Sequence, residues 1–71
     1  MKFKLVKLTI AGEKIGYYNT NLNPEDSWPT KNVDLAQLLS EDEVKSVMTI
    51  EKMKEKYFNT SNDYQIHQIE C

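Results

Sequence analysis

His67 and Cys71 are the only histidine and cysteine of this 71-residue sequence, and both residue types bind zinc. The residues around them alternate as in a β-strand over 63–71, in which a four-residue separation spans about 13 Å. Two ligands of one zinc ion lie much closer than this, because each metal–ligand bond is only about 2–2.3 Å long. The sequence therefore predicts no metal site and no bound cofactor. Cys71 also has no evident neighbouring base that could activate it as a nucleophile, so we expect no catalytic residues.

Acidic side chains form two groups that could support acid–base chemistry or bind a cation. The first is the run 40–43 (Ser-Glu-Asp-Glu), which directly precedes a long series of good helix formers. Ser40 and Glu43 have the spacing of a capping box, and acids are stabilised in the first turn of a helix. Helix capping therefore accounts for this group. The second group, Glu25 and Asp26, lies in a loop, where it is either solvated or available to a cation or a basic partner.

Three residues are candidates for contact with a partner: Trp28, Tyr18 and Lys7. Trp28 lies in a polar loop, where it either closes the end of a small core or forms a partly exposed anchor of the kind that dominates binding hot spots. Tyr18 and Lys7 are expected side by side on the sheet face that the helix leaves uncovered. There they form either a solvated pair or a stacking platform for single-stranded nucleic acid.

The charge composition argues against nucleic acid as the partner. The nine basic residues are all Lys, and the formal net charge is −2. Guanidinium groups bind guanine and phosphate through two parallel hydrogen bonds, which Lys cannot provide. Stacking platforms for single strands also lie in basic grooves. The preferred interpretation is therefore a small, non-enzymatic protein-interaction module, and the alternative is a single-stranded nucleic-acid-binding module that uses the uncovered sheet face.

Residues 2–20 have the pattern of a β-hairpin. A two-residue turn at Gly12 and Glu13 would place glycine where a positive φ is required. That turn puts Leu8 opposite Tyr17. It also places five apolar residues on the face that the helix is expected to cover: Val6, Leu8, Ile10, Ile15 and Tyr17.

Phe3 and Leu5 are out of phase with the apolar residues that follow them in the first strand. A β-bulge near Leu5 and Val6 is therefore expected. Even so, a single helix would leave Phe3 and Leu5 uncovered, which predicts a weak homodimer through the uncovered sheet face or an edge strand. Alternatively, the loop 19–32 folds back over these residues and brings Trp28 with it.

The remaining residues predict one long helix and a third strand. Residues 40–58 carry a broad apolar arc: Val44, Val47, Met48, Ile50, Met53, Tyr57 and Phe58. Residues 33–39 fit either a helical turn or a short extended segment, and residues 63–71 form the last strand. A right-handed crossover gives the strand order 2-1-3. The sequence thus predicts a single α+β domain over residues 1–71, with ββαβ order, a three-stranded antiparallel sheet and one long helix packed on one face.

Four segments carry a resemblance to known proteins: the hairpin that ends in Tyr17-Tyr18, the loop with Trp28, the run 36–43 (AQLLSEDE) and the closing strand 64–69 (YQIHQI). Together they resemble the small uncharacterised accessory proteins that phages and prophages of low-GC Gram-positive bacteria encode. The helix over 47–58 is longer than in those proteins. The resemblance implies a soluble, non-enzymatic product that modulates host or phage machinery, and it assigns no functional residue.

The distribution of apolar residues predicts no contact with a membrane. Lysines interrupt each apolar run near residue 1, and no apolar stretch approaches the roughly 20 residues of a transmembrane helix. A single cysteine cannot form an internal disulfide, so nothing indicates an oxidising compartment. We therefore expect a cytoplasmic protein.

Overall fold

The computed structural model describes residues 1–60 and 62–71. Its elements are β1 (Phe3–Thr9), β2 (Lys14–Tyr17), a single 3-10 turn (Val33–Leu35), α1 (Glu41–Phe58) and β3 (Tyr64–Glu70). The strands form an antiparallel sheet in the order β2-β1-β3. The predicted α+β fold with one three-stranded sheet and one long helix is confirmed. No helix in the described part of the chain has the length and hydropathy needed to cross a bilayer.

Helix α1 begins and ends as its local sequence predicts. The Ser40 hydroxyl accepts a hydrogen bond from the Glu43 N–H, and the Glu43 carboxylate accepts one from the Ser40 N–H, which completes the capping box. Asn59 adopts the left-handed conformation, with φ of 58°, and its N–H donates to the Glu55 carbonyl. Such a residue commonly ends a helix because it satisfies a carbonyl of the last turn.

The segment 33–39, for which the sequence allowed two conformations, contains both. Residues Val33–Leu35 form the 3-10 turn, and Ala36 is extended. Leu39 then forms an isolated antiparallel bridge with Phe3, with hydrogen bonds of 2.8 Å in both directions. This bridge positions the start of α1 beside the sheet.

The hairpin register differs from the prediction. Val6 pairs with Tyr17, and the register shifts between Lys7 and Leu8, which leaves Ile15 as the extra residue of β2. The predicted pairing of Leu8 with Tyr17 is wrong, because the connection is a longer turn closed by hydrogen bonds between Thr9 and residues 12 and 13. Such a turn ends in a residue of positive φ, here Gly12 at 93°. The bulge at Ile15 is a separate irregularity further along β2. The predicted bulge near Leu5 and Val6 is also wrong, since β1 pairs with β3 without interruption.

The face of the sheet that α1 covers is the opposite of the predicted one. Phe3 and Leu5 are buried with Trp28 and with Val44 and Val47 of the helix. The prediction that they are uncovered is therefore wrong, because α1 covers them and Trp28 of the loop packs beside the helix. Both faces of β1 are apolar, so alternation within the strand does not determine which face the helix covers.

The other face carries a smaller apolar cluster. Val6 and Tyr17 pack there against Ala36, the residue that follows the 3-10 turn. The sequence predicts Tyr18 and Lys7 on the sheet face that the helix leaves uncovered, and this is wrong, because they lie on the face that α1 covers. Tyr18 packs against the main core under α1, and Lys7 reaches a carboxylate of the helix.

Candidate functional site

Trp28 is a core residue that also lines a charged cleft beside α1. Only 8% of its surface is exposed, so of the two predicted roles the core plug is the one that the structure shows. The ring of Tyr18 meets the indole edge to face, with centroids 5.4 Å apart. The indole Nε1 is buried and has no hydrogen-bond partner among the described residues.

The loop that carries Trp28 is fixed to β2 by its backbone. The Trp28 N–H donates to the Asp26 carboxylate at 2.9 Å. The Tyr17 N–H donates to the Thr30 carbonyl at 2.6 Å. Gly16 permits this close approach, because a Cβ at that position would overlap the carbonyl oxygen of Trp28. The absence of a side chain at Gly16 thus lets the loop pack directly against β2.

Lys7 and Glu51 connect the sheet to the helix under this loop. The Lys7 Nζ lies 3.6 Å from the Glu51 carboxylate, and Lys54 Nζ lies 3.5 Å from its other oxygen. The Lys7 Nζ also lies 4.8 Å from the ring centroid of Tyr64 and 5.7 Å from that of Trp28. Glu51 is only 4% exposed, so two ammonium groups compensate the charge of one buried carboxylate.

A cleft opens between the 25–28 loop, the second half of α1 and the start of β3. We call it the loop–helix cleft; its volume is about 330 Å³, and its charged and aromatic lining includes Lys7, Glu25, Asp26, Trp28, Glu51, Lys54, Glu55, Phe58 and Tyr64. Of its carboxylates, only Glu51 forms an ion pair among the described residues. Glu25, Asp26 and Glu55 therefore give the cleft an acidic rim.

An exposed apolar surface adjoins this cleft on the C-terminal half of α1. We call it the helix-end patch; its members are Ile50, Met53, Tyr57 and Phe58, which are 52%, 67%, 83% and 67% exposed. The rings of Tyr57 and Phe58 meet edge to face at 5.0 Å. Phe58 belongs to both the patch and the cleft, and Lys54 borders both. The two surfaces are therefore continuous.

The sequence predicts one apolar arc on the helix that packs on the sheet and includes the patch residues. Only the first half of that arc is buried, with Val44 and Val47 in the core and Met48 packed against it. Glu51 continues the sheet-facing stripe, and the patch residues lie to one side of it. Glu51 and Tyr64 were not predicted as site residues. The position of Glu51, seven residues after Val44, could have identified it, because residues seven apart lie on the same side of a helix.

The other candidates for chemistry lie apart from this site. His67 is on the sheet face away from α1, with its Nε2 2.9 Å from the Gln65 side-chain oxygen, and Cys71 is exposed. The described residues contain no group of three or more His, Cys, Asp or Glu side chains that could hold a metal ion. The pKa of Glu43 is lowered mainly by the hydrogen bond from the Ser40 backbone N–H and secondly by one with the Ser40 hydroxyl. This shift belongs to the helix cap and not to the cleft.

Comparisons of this chain with protein-family models, with curated proteins and with solved structures find no match.

Proposed function

We propose that this chain is a small, non-enzymatic protein-interaction module of the cytoplasm, and that its docking surface is the helix-end patch together with the loop–helix cleft. The observation that carries the proposal is the exposure of four neighbouring large apolar side chains on one helix. Contiguous apolar surface on a small domain commonly marks a site of interaction, whereas isolated exposed apolar residues do not. The aromatic side chains Tyr57 and Phe58 are of the type that contributes most to binding energy.

The partner is a protein segment that combines an apolar or aromatic side chain with a Lys or Arg. The apolar side chain covers the patch, where Tyr57 and Met53 lose solvent-exposed area. The basic side chain enters the cleft, where Glu25, Asp26 and Glu55 have no cation of their own among the described residues. Charge complementarity of this kind selects partners and raises association rates. In line with the resemblance to phage accessory proteins, host or phage machinery supplies this segment.

The three predicted contact residues have different roles in this proposal. Trp28 and Lys7 position the loop and the helix, and they present only a small part of their surface to the cleft. Tyr18 supports Trp28 from the core side. The nucleic-acid alternative depended on Tyr18 and Lys7 at the uncovered sheet face, and both lie on the covered face instead. We therefore keep nucleic-acid binding only as an outcome of the test.

Selection of peptides from a random display library on the immobilised protein tests the proposal. The expected peptides contain an aromatic or large aliphatic residue close to a Lys or Arg. Met53→Ala and Tyr57→Ala should each weaken binding of a selected synthetic peptide about tenfold, or about 1.4 kcal/mol. Leu38→Ala is the matched control, because Leu38 is 53% exposed and lines neither surface, and it should leave the affinity unchanged.

The acidic rim is tested with the same peptide. Asp26→Asn keeps an oxygen that can accept the Trp28 N–H, and with Glu55→Gln it should weaken binding severalfold and reduce its dependence on salt. Glu41→Gln, at the far end of α1, is the control. Peptides without basic residues, or affinities that depend on Leu38 as much as on Tyr57, would contradict the proposal. Binding of a labelled single-stranded oligonucleotide at about 50 mM salt that weakens steeply as salt rises would favour the alternative.

A further inference from the structure

The two outer edges of the sheet differ in how they are protected. β2 is only four residues long and contains the bulge at Ile15. Its outer edge is also covered, because the Tyr17 N–H donates to Thr30 and the Asn19 N–H, just beyond the strand, donates to Ser27. Short length, bulges and covering loops are the usual devices that prevent an edge from pairing with another chain.

The outer edge of β3 has none of these devices. The strand has seven residues, YQIHQIE, without Lys, Pro or Gly. The Cys71 N–H donates to the Lys2 carbonyl, so within this ladder the odd-numbered residues direct their backbone groups toward β1. The backbone groups of the even-numbered residues therefore point outward: Tyr64, Ile66, Gln68 and Glu70. No backbone hydrogen bond to these outward groups occurs among the described residues.

We propose that two copies of this chain associate through β3, antiparallel, about a two-fold axis at His67. Tyr64 then lies opposite Glu70 of the second copy, and Ile66 lies opposite Gln68 of the second copy. All four outward-facing residues are used in this register, which gives about eight hydrogen bonds between the copies. An axis one residue to either side leaves an end of the strand unpaired.

The side chains are compatible with this pairing. Tyr64 lies opposite Glu70 of the second copy, so no carboxylate opposes another carboxylate. The two His67 residues form the pair on the axis, and their exposed side chains lie on the face away from α1. The product is a continuous six-stranded sheet with both helices on the same face. The isologous edge-to-edge contact is of the type expected for a symmetric dimer.

Site-specific disulfide formation tests the register. In a Cys71→Ser background, His67→Cys places two thiols in a non-hydrogen-bonded pair, with Cα atoms about 4.5 Å apart, a distance that a disulfide can span. Gln68→Cys is the matched control, because two copies of residue 68 are about 8 Å apart in this register. We expect a covalent dimer under mild oxidation from the first variant and little from the second. Equal yields from both, or none from His67→Cys, would overturn the register.

Sedimentation of the wild-type chain tests the association itself. The mass should rise toward that of a dimer as concentration increases, and His67→Lys should return it to the monomer, because it places two like charges opposite each other. His67 is exposed, so the variant should keep the wild-type circular dichroism spectrum. A monomer mass up to about 1 mM would overturn the proposal. A dimer that persists in His67→Lys would place the contact on another surface, such as the helix-end patch.

Discussion

The Lys7 ammonium group lies 3.6 Å from the carboxylate of Glu51, a residue that is only 4% exposed. This ion pair joins the middle strand of the sheet to α1 below the loop–helix cleft. The aromatic rings of Trp28 and Tyr64 lie within 6 Å of the same ammonium nitrogen and restrict its access to water. The Lys7 side chain therefore contacts all three elements that form the proposed docking surface, which are α1, the 25–28 loop and β3.

Replacement of Lys7 should destabilise the protein much more than replacement of Lys54. Lys7→Met leaves the buried Glu51 carboxylate with Lys54 alone, and we expect the free energy of unfolding to fall by about 2 kcal/mol. Lys54 is half exposed, so Lys54→Met should cost less than about 1 kcal/mol. Urea denaturation measures both, and Lys7→Met/Glu51→Met should recover most of the loss. Equal effects of the two single variants would contradict this account of the ion pair.

Gly16→Ala should displace the loop that carries Trp28. The new Cβ would overlap the Trp28 carbonyl oxygen and lie 3.2 Å from that of Thr30, so β2 and the loop must separate. We expect a loss of about 2–3 kcal/mol, together with a red shift in the fluorescence of the single tryptophan. Gly12→Ala is the control: its positive φ costs about 1 kcal/mol, but no atom lies near the added Cβ. An unshifted emission spectrum for Gly16→Ala would show that the loop does not depend on this contact.

The lowered pKa of Glu43 gives the helix cap a definite pH dependence. Because the pKa of this carboxyl is lower in the folded state than in the unfolded state, its charged form stabilises the fold at pH values above the ordinary pKa of a glutamate. That contribution is lost as the pH falls through the lowered pKa. Glu43→Gln keeps an acceptor for the Ser40 N–H but removes the titration, so its stability should fall less steeply with acid. An identical change in Glu41→Gln would contradict a role for the capping box.

The two sides of α1 should respond differently to truncation. Val47 is buried in the core, and Val47→Ala should lower the free energy of unfolding by about 2 kcal/mol. Met53 is 67% exposed, and Met53→Ala should change the free energy of unfolding by no more than about 0.5 kcal/mol. Thermal or urea unfolding distinguishes the two. A large loss for Met53→Ala would mean that the helix-end patch is packed against the rest of the domain.

The parts of the fold that depend on local sequence could be predicted, and the choice of sheet face could not. Ser40 and Glu43 are three residues apart, so the start of α1 is readable from their types alone. The choice between the Leu5 face and the Val6 face depends on Trp28 and Leu39, which are distant in the chain. Alternation in β1 contains no information about those contacts.

The docking surface was predictable only in part, for the same reason. The sequence identifies the residues of the helix-end patch as part of an apolar arc. It does not show that the sheet covers only the first half of α1 and leaves the patch exposed. Glu25 and Asp26 were singled out as loop acids, and their approach to Glu55 requires the folded loop. The pairing of Lys7 with Glu51 follows from the observed face of β1 and not from the predicted one.

A backbone amide chemical-shift map shows directly whether the end of α1 and the 25–28 loop bind a partner together. The map would be recorded by NMR on the labelled protein during titration with a peptide selected as described above. We expect the largest shifts in the 25–28 loop and in residues 50–58 of α1. Shifts concentrated at Val6, Leu8 and His67, on the opposite face of the sheet, would contradict this expectation.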